Sequence, residues 1–188
     1  MDVVASGPIT SGYGGTSVPI AVRNNTADTI SSVDVTGAAT DAAGTIVGSG
    51  QSQGFNPSSI PSGGVALGFV YFQPNTLVKA DSKIEFTVAS RPVTDKPYFR
   101  DLKIDQANIA GENLTGKATN ASDDKLSGPY SVHVTCFDEK GAMLDGLTGY
   151  ASPSADIAAG QSVTFQIGLA GKTCPSFLLG VSGYEALK

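Results

Sequence analysis

The sequence predicts an all-β chain of two tandem antiparallel β-sandwich domains, and three observations lead there. The first is an internal repeat. Asp41 and Gly44 fall 97 positions before Asp138 and Gly141, Ile60 falls 97 before Ile157, and Asn24 and Phe69 fall 96 before Asn120 and Phe165. A period near 96 in a chain of 188 residues divides it into two domains of ordinary small-sandwich size. The second is alternation: apolar residues recur at a spacing of two, which sets them on one face of a strand. The third is composition, since 23 glycines, no tryptophan and only 15% charged residues suit short strands and many turns better than long helices.

Taken in order, Val18, Ile20 and Val22 share one strand face, and Asn24-Asn25-Thr26-Ala27-Asp28 ends that strand. Val33, Val35, Gly37 and Ala39 form the next inward row, closed by a type I turn signal at Asp41-Ala42-Ala43-Gly44. There Asp accepts bonds from its own turn and Gly takes positive φ. Ile46-Val47 begins the return strand, Gly48 to Ser59 reads as a long Gly, Ser and Gln-rich surface connection, and Ile60 to Gly64 as a second turn. Leu67, Phe69 and Tyr71 share one face of the following strand, which leaves Val70 and Phe72 on a second face that needs a cover. The other domain or the N-terminal segment would serve, and so would an external partner, which makes Val70 and Phe72 the candidate interaction surface. Ile84, Phe86 and Val88 end the first unit. Arg91 to Asp101, with two prolines, is a stiff connection, and the domains are set at residues 1–92 and 93–188.

The second unit repeats the plan. Leu114, Gly116 and Ala118 form the early strand, and Asn120 to Asp124 breaks it. Tyr130, Val132, Val134 and Cys136 form the inward row, Asp138-Glu139-Lys140-Gly141 the turn, and Met143-Leu144 the return. Ala158 to Gln161 turns again, then Val163, Phe165 and Ile167 form a core-facing row before Leu179 and Val181 end the unit.

The strand ending in Asn120-Ala121-Ser122, then Val132-x-Val134-x-x-Phe137-Asp138-x-x-Gly141, then Ile157-x-x-Gly160-x-x-x-x-Phe165, resembles the FxLYD-type domains of bacterial envelope and secreted proteins. The resemblance spans both halves and is closer in the second, because Thr40 stands before Asp41 where Phe137 stands before Asp138. It implies an immunoglobulin-like sandwich and a location outside the cytoplasm. It names no active site, since the aromatic packs and the Asp makes a turn.

Cys136 and Cys174 are the two cysteines, one on a core-facing row and one in a turn. A disulfide between them implies an oxidising compartment; two buried free thiols are the competing reading. His133, the sole histidine, lies three positions before Cys136 in a strand, so it faces away from it and is expected in solvent. One histidine and two cysteines assemble no zinc site of familiar spacing and no nucleophile–base pair, so neither cofactor nor catalytic residue is assigned. Asp123, Asp124 and Asp156 could hold calcium only if loops at one end converged. The sequons at Asn24, Asn113 and Asn120 fit the glycosylation pattern, but such triplets are common in Ser and Thr-rich chains.

A formal charge of −5 without a basic cluster argues against nucleic acid or an anionic membrane as partner. The apolar run Val65 to Phe72 is too short to span a bilayer as a helix. Met1-Asp2-Val3-Val4 has no basic or apolar leader, so the chain is either cytoplasmic or, as favoured here, one whose export segment has been removed. The expectation is a non-catalytic secreted or cell-envelope module, binding a protein or surface ligand or acting as a spacer. The alternative is a carbohydrate-binding module using Tyr13, Phe55, Tyr98 or Tyr150.

Overall fold

A computed structural model describes residues 1–12, 15–74, 76, 78–92 and 99–185. Among them are thirteen strands and no helix. The first seven are β1 (Asp2–Ser6), β2 (Thr10–Gly12), β3 (Gly15–Arg23), β4 (Ile30–Thr40), β5 (Ile46–Asn56), β6 (Val65–Phe72) and β7 (Lys83–Pro92). The other six are β8 (Phe99–Ala110), β9 (Asn113–Thr119), β10 (Leu126–Phe137), β11 (Met143–Ala151), β12 (Ser162–Gly168) and β13 (Ser176–Glu185). The chain divides into two compact units, Met1–Phe55 with Ile60–Thr94, and Asn56–Ser59 with Asp95–Lys188. The boundary expected between residues 92 and 93 lies outside the described residues. Asn56–Ser59 goes with the second unit, where Ser58 donates from its N and Oγ to the Asp101 carboxylate.

Each unit is an antiparallel, curled, sandwich-like β-domain. The first orders its strands β1-β3-β6-β5-β4-β7, with β2 added to β3. The second runs β11-β10-β13-β8-β9-β12. Strand β8 changes partner along its length: Phe99–Leu102 pairs with β13, and Lys103–Ala110 pairs with β9. The far edges of that unit meet where Ser152 and Thr164 exchange backbone bonds of 2.7 and 2.8 Å.

The inward rows of β3, β4, β9, β10 and β12 are those that alternation predicts. Val18, Ile20, Val22, Val35 and Ala39 lie in one core, and Leu114, Ala118, Tyr130, Val132, Val134, Cys136, Val163, Phe165 and Ile167 in the other. Strand β6 corrects the sequence reading. Residues paired across a ladder face the same side, and Val70 lies opposite Val18 as Ala66 lies opposite Val22. Val70 and Phe72 therefore point into the core, at 0% and 2% exposure, and form no interaction surface. Leu67 and Phe69 occupy the other face and are also buried. The error is one residue of register. The ladder of β9 with β12 sets Phe165 opposite Gly116, and that of β3 with β6 sets Gly68, not Phe69, at the corresponding place opposite Ile20. A slip of one flips every side chain of a strand.

The Gly, Ser and Gln-rich stretch after Val47 is no loop but most of β5, paired with β4 from Thr36↔Gln51 to Thr40↔Ile46. Its glycines answer to crowding rather than turning. A Cβ at Gly48 would lie 2.6 Å from Val78 Cγ2, and one at Gly50 2.7 Å from the Tyr71 carbonyl oxygen.

Candidate functional site

The two units share a set of polar devices, and these account for several residues that look functional in the sequence. Asn24 and Asn120 are buried, at 0% and 1% exposure. Asn24 Nδ2 donates to the carbonyls of Asp28 (2.7 Å) and Ile60 (2.9 Å), while its Oδ1 accepts from Thr26 N (3.0 Å) and Thr26 Oγ1 (2.7 Å). Asn120 repeats this with Asp124 O at 2.8 Å, Ser122 N at 3.1 Å and Ser122 Oγ at 2.7 Å. Hence the hydroxyl two places on: it completes an Asx turn. The Asp turns match as well. Asp41 Oδ1 accepts from Ala43 N and Thr45 N, and Asp138 Oδ1 from Lys140 N and Ala142 N, while Gly44 and Gly141 both sit at φ 81°. Sequence reasoning found the Asp turns and the recurrence of Asn24 and Asn120 at the strand breakers, but not that these two asparagines are buried and hold the turns.

Cys136 and Cys174 are joined in a disulfide, with Cα atoms 4.9 Å apart. Neither is therefore a nucleophile or a metal ligand in this state. His133 lies on the face opposite Cys136, as alternation requires, but it is half-buried rather than solvent-facing, and burial lowers its pKa. Its ladder partner Gly180 has the Asn56 side chain directly over it. The three aspartates do not converge. Asp124 faces Arg100 at 3.8 Å, and Asp156 is bound by Lys125 Nζ (2.8 Å) and Ser127 Oγ (2.7 Å), which together hold its carboxyl below the usual range. Among the described residues no three His, Cys, Asp or Glu side chains form a metal-sized cluster. Of the four aromatics, Tyr13 and Tyr98 lie outside the described residues, Phe55 packs against the first core, and Tyr150 is 69% exposed on β11.

The open feature is an edge. β7 pairs with β4 on one side, and among the described residues no strand pairs with its other side. Its inward row of Ile84, Phe86 and Val88 is only half-buried, whereas Val181 on β13, which also carries β8, is fully buried. Beside β7 runs an open groove of about 740 Å³ walled by Met1–Ser6 on one side and Ile84, Phe86, Thr87 and Val88 on the other. Such an arrangement can accept an extended backbone through unpaired N–H and C=O groups and hold apolar side chains alongside.

Compared with protein-family models the chain matches none, and a search of curated proteins likewise returns no match.

Proposed function

We propose that this chain is a non-catalytic binding or spacer module of a secreted or cell-envelope protein, made by duplication of one immunoglobulin-like unit and presenting a sheet edge to a protein partner. The observation that carries it is the edge of β7, unpaired among the described residues, beside an open groove. Duplication is supported by the matching asparagine and aspartate networks. The Cys136–Cys174 bond is of the kind that persists in oxidising compartments, which supports export. The resemblance to FxLYD-type domains, read from Asn120-Ala121-Ser122, Val132 to Gly141 and Ile157 to Phe165, supports a bacterial setting.

A photo-crosslinking side chain at exposed Thr87 on β7, with Thr148 on β11 as control, tests the reading in the producing cell. A protein adduct at Thr87 alone supports it. Absence of adducts at Thr87, together with free thiols in the isolated protein, overturns it. Exposed Tyr150 favours the second reading, a carbohydrate-binding module. Glycan binding lost in Tyr150→Ala would move the assignment there.

A further inference from the structure

Asp145-Gly146 is the sole place in the chain where Asp or Asn is followed by Gly. Such a pair carries its own chemistry. The backbone nitrogen after an Asp can attack the Asp side-chain carbon and close a cyclic imide, and Gly in second place leaves that nitrogen unhindered because it has no Cβ. How readily the ring closes depends on how the fold places the two groups, since reactants held at contact distance behave as though highly concentrated.

Here the fold holds them together. Gly146 N donates to Asp145 Oδ1 at 2.7 Å, so the nitrogen touches the carboxyl group it would attack. Asp41 and Asp138, by contrast, turn their carboxylates to amides two and four residues on, and Asp101 turns to Ser58. The second oxygen, Asp145 Oδ2, lies 2.7 Å from Lys172 Nζ. The backbone is irregular at the same point. The ladder of β10 with β11 passes from Phe137↔Met143 to Cys136↔Asp145, skipping Leu144, so Asp145 adjoins a bulge. β11 also ends the strand order of its unit, so a change at Asp145 disturbs one ladder rather than two.

We infer that Asp145-Gly146 is a self-modification site, at which the folded protein converts Asp145 to isoaspartate through a cyclic imide. Gly146 N forms a bond to Asp145 Cγ, and Oδ2 departs as water with one proton from that nitrogen and one from the Lys172 ammonium, which solvent restores. Water then opens the ring. Addition at Cγ returns Asp145; addition at the backbone carbonyl leaves the chain running through Cγ, with the former main-chain carbonyl as a free carboxylate. One water leaves and one enters, so no oxidant or cofactor is needed. The consequence is local. The backbone of β11 gains a methylene at the residue paired with Cys136, and Lys172, two places before Cys174, loses the carboxylate that ties its loop to that strand. The second unit thus carries a slow covalent alteration beside its disulfide, independent of anything that binds β7.

The test incubates the intact protein for weeks at pH 7.5 and follows isoaspartate by enzymatic methyl labelling and peptide mapping. Label is expected to accumulate at Asp145 at least tenfold above any other aspartate, preceded by a species lighter by one water. Asp145→Glu, which would need a larger ring, should abolish it, and Gly146→Ala should slow it several-fold. Asp145→Asn should speed it, because ammonia leaves the side chain more readily than water does. Label at Asp145 only in guanidinium-unfolded protein would overturn the inference, since the strand would then be holding the pair apart. A persistent species lighter by one water, with Asp145 and Lys172 joined in one crosslinked peptide, would overturn it in favour of capture by the lysine.

Discussion

Replacing both half-cystines with alanine, C136A/C174A, should destabilise the second unit alone. The bond joins residues 38 apart in sequence, and opening a loop of that length costs about 4 kcal/mol on the chain-entropy model. Both sulfurs lie in the core, Cys136 at 0% and Cys174 at 6% exposure, so deleting each removes roughly 1 kcal/mol of packing, the scale of a buried methylene. The first unit contains the control for backbone fit. Ala39 lies opposite Ile84 as Cys136 lies opposite Phe177, and it is fully buried, so alanine suits this position without distortion. The sum is about 4–6 kcal/mol. In a unit of this size each kcal/mol moves Tm by about 4–8 °C, so the fall should be at least roughly 15 °C. Scanning calorimetry would measure it, with amide exchange at Val35 and Val132 assigning each transition to its unit. A shift in the second unit below about 3 °C, or an equal shift in the first, would refute the reasoning.

Asn120→Ala should cost about 1–3 kcal/mol in urea unfolding, because it removes the acceptor of the Ser122 amide and one of the two donors to the Asp124 carbonyl, and Asn24→Ala should cost as much in its own unit. Gly116→Ala would set a Cβ against the Phe165 ring and 2.6 Å from the Gln106 carbonyl oxygen, a clash expected to cost about 1–3 kcal/mol; a wild-type Tm would show that both the ring and the backbone give way. His133 is held below its ordinary 6.5 by burial, so the unfolded chain binds the proton more readily. The second unit should thus be fully stabilised above about pH 6.5 and lose stability as pH falls through the lowered folded value. Urea midpoints at pH 7.5 and 5.5 would show a slope that His133→Asn removes.

Fold class was legible because alternation and the Asp-x-x-Gly turns are local signals, and both Asp41 and Asp138 close their hairpins as their side-chain chemistry dictates. What failed was less local. β5 is hidden because crowding by Val78 and Tyr71 demands the same small residues that loops favour. The face of β6 depends on which residue meets Val18, a pairing 52 positions apart that a one-residue slip in the repeat misassigns. β8 is hard to see because the bulge at Asp105 shifts its parity halfway, as the strand passes from one partner to the other. The candidate edge at β7 depends on the absence of a partner strand among the described residues, which no stretch of β7 itself encodes.

Asn24 and Asn120 are read one way by the finished fold and another by a glycosylating secretory pathway. To an oligosaccharide-transferring enzyme meeting the chain during synthesis, Asn24-Asn25-Thr26 and Asn120-Ala121-Ser122 are acceptors. A glycan on Asn24 Nδ2 would occupy the atom that must donate to Asp28 and Ile60, and its bulk would have no place at a position with 0% exposure. In a host that glycosylates such triplets, modification and folding would compete for the same nitrogen. Protein made there would divide into a folded fraction with Asn24 and Asn120 bare and a modified fraction denied its Asx turns, whereas production without that machinery would yield the folded form alone.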